Sequence, residues 1–172
     1  MTSAVVIGAG PGIGLAVARR FAREGFDLAL IARSEETVAT AVERLDGVRA
    51  LPLIADSGDE TALRAALDTA AAELGAPDVV VYNAAVIRPD AVGELPLRTR
   101  LDTYAVNVLG ALTAAAHTAP GMAERGRGTF VATVTVSGPV APGTAWDPDE
   151  IADHYWRLHI QPRTEWEREV LI

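Results

Sequence analysis

Four glycines alternate at Gly8, Gly10, Gly12 and Gly14 in the run Ile7-Gly8-Ala9-Gly10-Pro11-Gly12-Ile13-Gly14. An apolar stretch precedes the run, and residues at helical spacing follow it. Residues without a Cβ tolerate positive φ and let the backbone come close to a ligand. A helix that starts at such a turn offers unpaired N–H groups and a positive dipole end, which suit a pyrophosphate. Strand, glycines and helix in that order are what distinguish a phosphate turn from a plain glycine turn. A second chemical signal closes the next apolar run, Ile31-Ala32-Arg33-Ser34. An acid at this place would bond a ribose 2′-hydroxyl, whereas the forked guanidinium of Arg33 suits a 2′-phosphate. The two signals together point to a phosphorylated dinucleotide, NADP(H) in preference to NAD(H).

The elements that must position these groups alternate along the chain. The pattern predicts a strand over Ser3 to Ile7 and a helix over Gly12 to Glu24 that Gly25 closes. A second strand, Asp27 to Ile31, leads through Ser34 as N-cap into a helix over Glu35 to Leu45. Arg49 to Ile54 reads as the third strand, and Ser57 or Asp59 opens a helix that ends near Leu74-Gly75. Asp78 to Tyr82 is the fourth strand. A helix is expected from Pro96 to Thr118, stopped by Pro120-Gly121, and then a β-branched fifth strand over Thr129 to Val136. A loop, a helix near Asp149 to His159 and a short acidic tail helix complete the pattern. Strands separated by helices of this length form βαβ units and a parallel sheet. The expected architecture is therefore α/β, a Rossmann-like doubly wound parallel sheet in three layers. At 172 residues one domain is the simplest division, with a cofactor half over residues 1–90 and a substrate-side half over 91–172.

Composition narrows the classes of function. The formal net charge is −8 and both halves share it, so no basic face for nucleic acid or anionic membrane is expected. Cysteine is absent, which removes disulfides and thiolate chemistry and fits a reducing, cytoplasmic setting. His117, His154 and His159 form no plausible metal cluster with the carboxylates. No charged leader precedes the first strand, and no apolar stretch reaches the roughly 18 residues a membrane span needs. All 15 basic residues are arginine, a usage that with the abundant alanine points to a GC-rich bacterial coding sequence. No ammonium side chain is available for chemistry.

These features resemble the short-chain dehydrogenase/reductase family over nearly the whole chain. The spacing Gly8-x-x-x-Gly12-x-Gly14 is similar to the cofactor motif of that family, with Ile7 where threonine is usual. By this resemblance Asp56 contacts the adenine ring, and Asn83-Ala84-Ala85 stands for the Asn-Ala-Gly element lining the cofactor. Ile13, Ser34 and Val140, the last in Val136-Ser137-Gly138-Pro139-Val140, join the cofactor-binding set. Asn107 falls where the family places the helix asparagine of its catalytic tetrad. The resemblance implies a carbonyl/alcohol oxidoreductase acting on a small-molecule substrate.

The catalytic centre of that resemblance is incomplete. In the family a serine after the fifth strand and a Tyr-x-x-x-Lys pair on the next helix carry the proton transfer. Here Thr129-Phe130 begins like a family fifth strand and Val131 to Val136 continues like a sixth. One strand–helix unit fewer than the usual fold follows, since such a passage takes roughly 30 residues. The tyrosines are Tyr82, Tyr104 and Tyr155, and only Tyr155 has a titratable neighbour four positions on, His159. A Tyr–His acid–base pair and simple helix packing are both compatible with that spacing. Two alternatives to the redox reading stay open: a cyclase or isomerase that reuses the pocket, with Arg88, Tyr104 or His154 as polar groups, and a catalytically silent NADP(H)-binding module. With one face of the usual dimer missing, a homo-oligomer would need a different interface.

Overall fold

The computed structural model describes residues 2–88, 93–133, 141–144 and 146–165. Five strands form one parallel sheet: Ser3–Ile7 (β1), Asp27–Ala32 (β2), Ala50–Ile54 (β3), Val79–Tyr82 (β4) and Thr129–Ala132 (β5). Their order across the sheet is β3-β2-β1-β4-β5. The order reverses between β1 and β4, which opens a crevice beyond the carboxyl ends of those two strands. Both the glycine turn after β1 and Asn83 after β4 fall there.

Helices cover both faces: Ile13–Arg23 (α1), Glu35–Val42 (α2), Glu60–Leu74 (α3), Leu97–Tyr104 (α4), Gly110–Glu124 (α5) and Pro148–Ile160 (α6). The two-residue period of the strands divides the core. Ala4, Val6, Leu28, Leu30, Val79 and Val81 face a cluster completed by Phe21 of α1 and by Ile151 and Tyr155 of α6. Val5, Ile7, Ala29, Ile31, Val80 and Tyr82 face the opposite cluster, with Leu63 and Leu67 of α3 and Ala114 of α5. The result is the three-layered α/β arrangement that the alternating pattern implies.

Local chemistry accounts for most boundaries. Ser34, Asp59 and Asp147 cap α2, α3 and α6, each side chain accepting a backbone N–H within the first turn. Gly25 and Gly75, with φ of +79° and +83°, end α1 and α3. The structure corrects three expectations. Pro120 does not end its helix: α5 runs on to Glu124. Proline in a helix interior costs about 3 kcal/mol, but Met122 is buried against the sheet, and its packing favours another turn. The helix expected from Pro96 also contains a π-helical stretch, Ala105–Leu109, between α4 and α5. At α2 the regular helix stops at Val42, and i→i−3 hydrogen bonds from Arg44 and Leu45 carry the chain onward. The strand expected to reach Val136 is described only to Ala132, with Thr133 N–H still bonding Tyr82 O at 2.9 Å. Val134 to Val140 lie outside the described residues.

Candidate functional site

The glycine turn is fixed by sterics on two sides. Gly8 has φ +88°, and a Cβ there would lie 2.5 Å from Ala84 N. A Cβ on Gly14 would lie 2.1 Å from Gly8 O. The turn therefore folds tightly under the start of α1 and against the chain leaving β4. Gly10 differs: nothing lies within 4 Å of its missing Cβ, and it borders open cleft on both sides. At the N-terminus of α1 Gly12 supplies no side-chain cap, and no acid occupies the first turn. The N–H groups of Gly12, Ile13 and Gly14 find no acceptor among the described residues. Those unfilled donors and the dipole suit an anion.

Two clefts meet over this turn. One, of about 610 Å³, runs past Arg33, Ser34 and Ser57. The other, of about 770 Å³, runs past Arg88, Tyr104, Asn107 and Thr133. Gly10, Asn83, Ala84, Ala85 and Val86 border both, so they form one trough along the carboxyl edge of the sheet. Arg33 is exposed at one end and has no ion pair or hydrogen bond among the described residues. Ser34 is engaged as a cap, its Oγ accepting Thr37 N–H at 3.3 Å. Asp56 is exposed beside Ala55 and Ser57, and its Oδ1 accepts Gly58 N–H at 2.9 Å. Ile13 is buried at the start of α1. Val140 lies outside the described residues. A dinucleotide fits this set of groups, with donors that suit a pyrophosphate at the centre and a free guanidinium at one end.

At the other end Asn107 is tied to the backbone and Thr133 to neighbouring side chains. Asn107, on the π-helical stretch, accepts Val86 N–H through Oδ1 at 2.7 Å and donates from Nδ2 to Val86 O at 3.0 Å. Its amide thus closes a backbone-like pair with the loop after β4. Tyr82 donates to Val106 O at 2.5 Å, tying the same stretch to β4, and burial pushes its hydroxyl pKa up.

Tyr155 and His159 share α6 but not a hydrogen bond. The Tyr155 hydroxyl meets Thr133 Oγ1, whereas His159 Nδ1 meets Thr129 Oγ1 at 3.0 Å. His159 also packs edge-on against Phe26, with ring centroids 5.5 Å apart, and beside Phe21 and Trp156. Burial raises the Tyr155 pKa, opposed by the bond to Thr133. It lowers the pKa of His159, with Asp78 opposing. The acid–base pair considered from spacing does not form: each residue packs against the core and bonds a different threonine. His154 lies half-buried on the same helix, its pKa lowered by desolvation and by Arg157.

Thr133 was not singled out from the sequence, because a strand drawn to Val136 leaves it mid-strand. Its signal is positional. It is the first hydroxyl residue past the carboxyl end of β5, and it donates to Asn83 Oδ1 at 3.0 Å. Among the described residues no group of three His, Asp or Glu side chains could hold a metal ion, and no helix is long and apolar enough to cross a membrane.

Residues 2–146 match the family model for short chain dehydrogenase. Over 143 residues, 81% of this chain, the sequence is 36% identical to glycine betaine reductase ATRR of Emericella nidulans, of which the match covers 11%. It is 35% identical over 140 residues to cis-4-hydroxycyclohexanecarboxylate dehydrogenase of Sinomonas cyclohexanicum, covering 80% of this chain and 56% of that protein. The chain thus spans about half, or much less, of the length of these curated relatives. A metagenomic short-chain oxidoreductase solved in complex with NADP superposes with a TM-score of 0.88 at 25% identity, covering 99% of this chain and 96% of that one.

Proposed function

The chain belongs to the short-chain dehydrogenase family, and on that premise we propose that it binds NADP(H) in the trough and acts on a small carbonyl or alcohol compound at the Thr133 end. The observation that carries this reading is the pairing of the donor-rich start of α1 with a free Arg33 on one continuous cleft. In the proposed complex Gly12, Ile13 and Gly14 donate to the pyrophosphate, and Arg33 pairs with the 2′-phosphate. Ser34 and Asp56 border the adenosine, and Asn83, Ala84 and Ala85 line the floor of the trough. Val140 would approach the nicotinamide end by the resemblance alone. The neighbour that holds NADP is consistent with this assignment.

The bound nicotinamide would supply or accept a hydride. What the chain contributes is placement, through the turn and through the Val86 loop that Asn107 clamps. Proton supply is the weak point, since no lysine exists in the sequence and the Tyr155 hydroxyl is occupied by Thr133. Missing general acid catalysis typically costs 10²–10⁴-fold, so slow turnover is expected. A silent NADP(H)-binding module is the second reading, favoured by that same occupied hydroxyl. Fluorescence titration with NADPH and NADH, followed by absorbance assays with simple ketones, tests both. Tight NADPH binding with slow reduction supports the first reading, and binding with no reduction supports the second. No NADPH binding refutes both.

A further inference from the structure

A directed chain of hydrogen bonds links α6 to the glycine turn. Thr133 has one hydroxyl hydrogen, and it goes to Asn83 Oδ1 at 3.0 Å. The Tyr155 hydroxyl, which meets Thr133 Oγ1, must therefore be the donor of that pair. Asn83 in turn donates from Nδ2 to Gly8 O at 3.1 Å. The sense of every bond is fixed from Tyr155 through Thr133 and Asn83 to Gly8. Tyr155 is 6% exposed, so water cannot readily replace it as the donor at the head of the chain.

The amide at the centre explains why direction matters. An asparagine side chain can present either its oxygen or its nitrogen to a neighbour. If the oxygen turned toward Gly8 O, two acceptors would face each other and the Gly8 peptide would have to rotate. That rotation would also strain the bond from the N–H of the same peptide, on Ala9, to Ile31 O at 3.1 Å, so the Asn83 amide and Ile31 hold the peptide from its two sides. Gly8 O is also the atom nearest the missing Cβ of Gly14, so its rotation would disturb the start of α1. The Asn83 backbone N–H bonds Ile7 O at 2.8 Å, and the orientation of its side chain is set from two sides, by Gly8 O and by the Thr133 hydroxyl.

We propose that Tyr155 and Thr133 are positioning residues for dinucleotide binding: by fixing the orientation of the Asn83 amide they hold the Gly8 peptide, and with it the donors of α1, in the ligand-ready form. The proposal rests on the assignment of the trough to NADP(H). It makes affinity for the ligand depend on a buried hydroxyl on α6 that does not itself line the cleft.

The experiment compares the full chain with Tyr155→Phe, Thr133→Val and Thr133→Ser, using NADPH as the probe and ligand-free melting as a second readout. Tyr155→Phe keeps the ring in its core position and removes only the donor. Thr133→Val is expected to raise the Kd for NADPH about five- to tenfold, the scale of one lost buried hydrogen bond, and Tyr155→Phe, which leaves the Thr133–Asn83 bond in place but no longer fixes its direction, about two- to threefold. Thr133→Ser, which keeps the hydroxyl, is expected to stay within about twofold of the parent. The double variant Tyr155→Phe/Thr133→Val should bind no worse than Thr133→Val alone, because loss of the Thr133 hydroxyl already releases the amide. A control, His159→Gln, removes the other α6-to-β5 hydrogen bond and should lower the melting temperature without changing Kd. If Tyr155→Phe and Thr133→Val bind like the parent, or Thr133→Ser binds as poorly as Thr133→Val, the proposal is overturned. Absence of NADPH binding by the parent chain would instead overturn the assignment of the trough.

Discussion

The side chain of Asn107 pairs with the backbone of Val86 through both of its amide groups, at 2.7 Å and 3.0 Å. Twenty-one residues apart in sequence, the two are joined as neighbouring strands would be, and the loop after β4 is clamped to the π-helical stretch. Asn107→Ala removes both bonds and is expected to cost about 1–3 kcal/mol of stability, each net bond contributing about 1 kcal/mol. Hydrogen exchange at the Val86 amide should accelerate more than exchange in β1. Unchanged protection at Val86 would show that the loop holds itself.

Gly10 and Gly14 sit four residues apart and should respond oppositely to alanine. Gly14→Ala drives a Cβ into Gly8 O and is expected to destabilise the fold by about 3 kcal/mol or more. Gly10 has open space around its Cβ position and no positive φ. Gly10→Ala should therefore melt within about a degree of the parent and bind NADPH about tenfold more weakly, by crowding the trough. Melting curves and titrations of the two variants, read side by side, separate the roles.

In the proposed complex Arg33 carries the choice of dinucleotide. Arg33→Ala is expected to weaken NADPH about 10–100-fold, the loss of a charge-assisted contact, while NADH affinity stays nearly constant. Equal losses for the two ligands would mean that the guanidinium does not meet the 2′-phosphate. The NADPH preference should also shrink in high salt, since Arg33 is exposed.

Three groups, His159 on the acid side and Tyr155 and Tyr82 on the alkaline side, set opposite limits on pH. His159 has its pKa lowered from 6.5 by burial, so below about that pH the unfolded state binds more protons than the folded one. Stability present above the unfolded value is lost as the pH falls through the folded one. Tyr155 and Tyr82 have pKa values raised from 10.0 by burial. Their contribution is complete below 10.0 and is lost as the pH rises through the folded values. Urea midpoints should fall on both flanks. His159→Gln should flatten the acid flank and Tyr155→Phe the alkaline one; a flank unchanged by its variant would assign it to other groups.

Much of the scaffold could be read from local chemistry. The caps at Ser34 and Asp59, the glycine stops at Gly25 and Gly75, and the strand–glycine–helix order are properties of a few adjacent residues. Pro120 misled because its intrinsic cost is local, whereas the burial of Met122 that outweighs it is tertiary. The partners of Asn107, Tyr155 and Thr133 lie 21 to 50 residues away. Such pairs depend on strand register and helix docking, which residue type and spacing do not encode. The same applies to Asn83, whose place at the end of β4 is plain from the pattern, while its bond to Gly8 O, 75 residues away, appears only once β1 and β4 are paired.

α6 lies against α1, and the Arg20 guanidinium donates to Asp153 across 133 residues of chain. Phe21, Phe26 and Trp156 close that contact. During synthesis the first βαβ unit therefore emerges with a bare aromatic flank, which stays uncovered until α6 has been made. Contacts so distant in sequence slow folding and prolong exposure of sticky surface. That flank is thus open to unwanted association until α6 arrives.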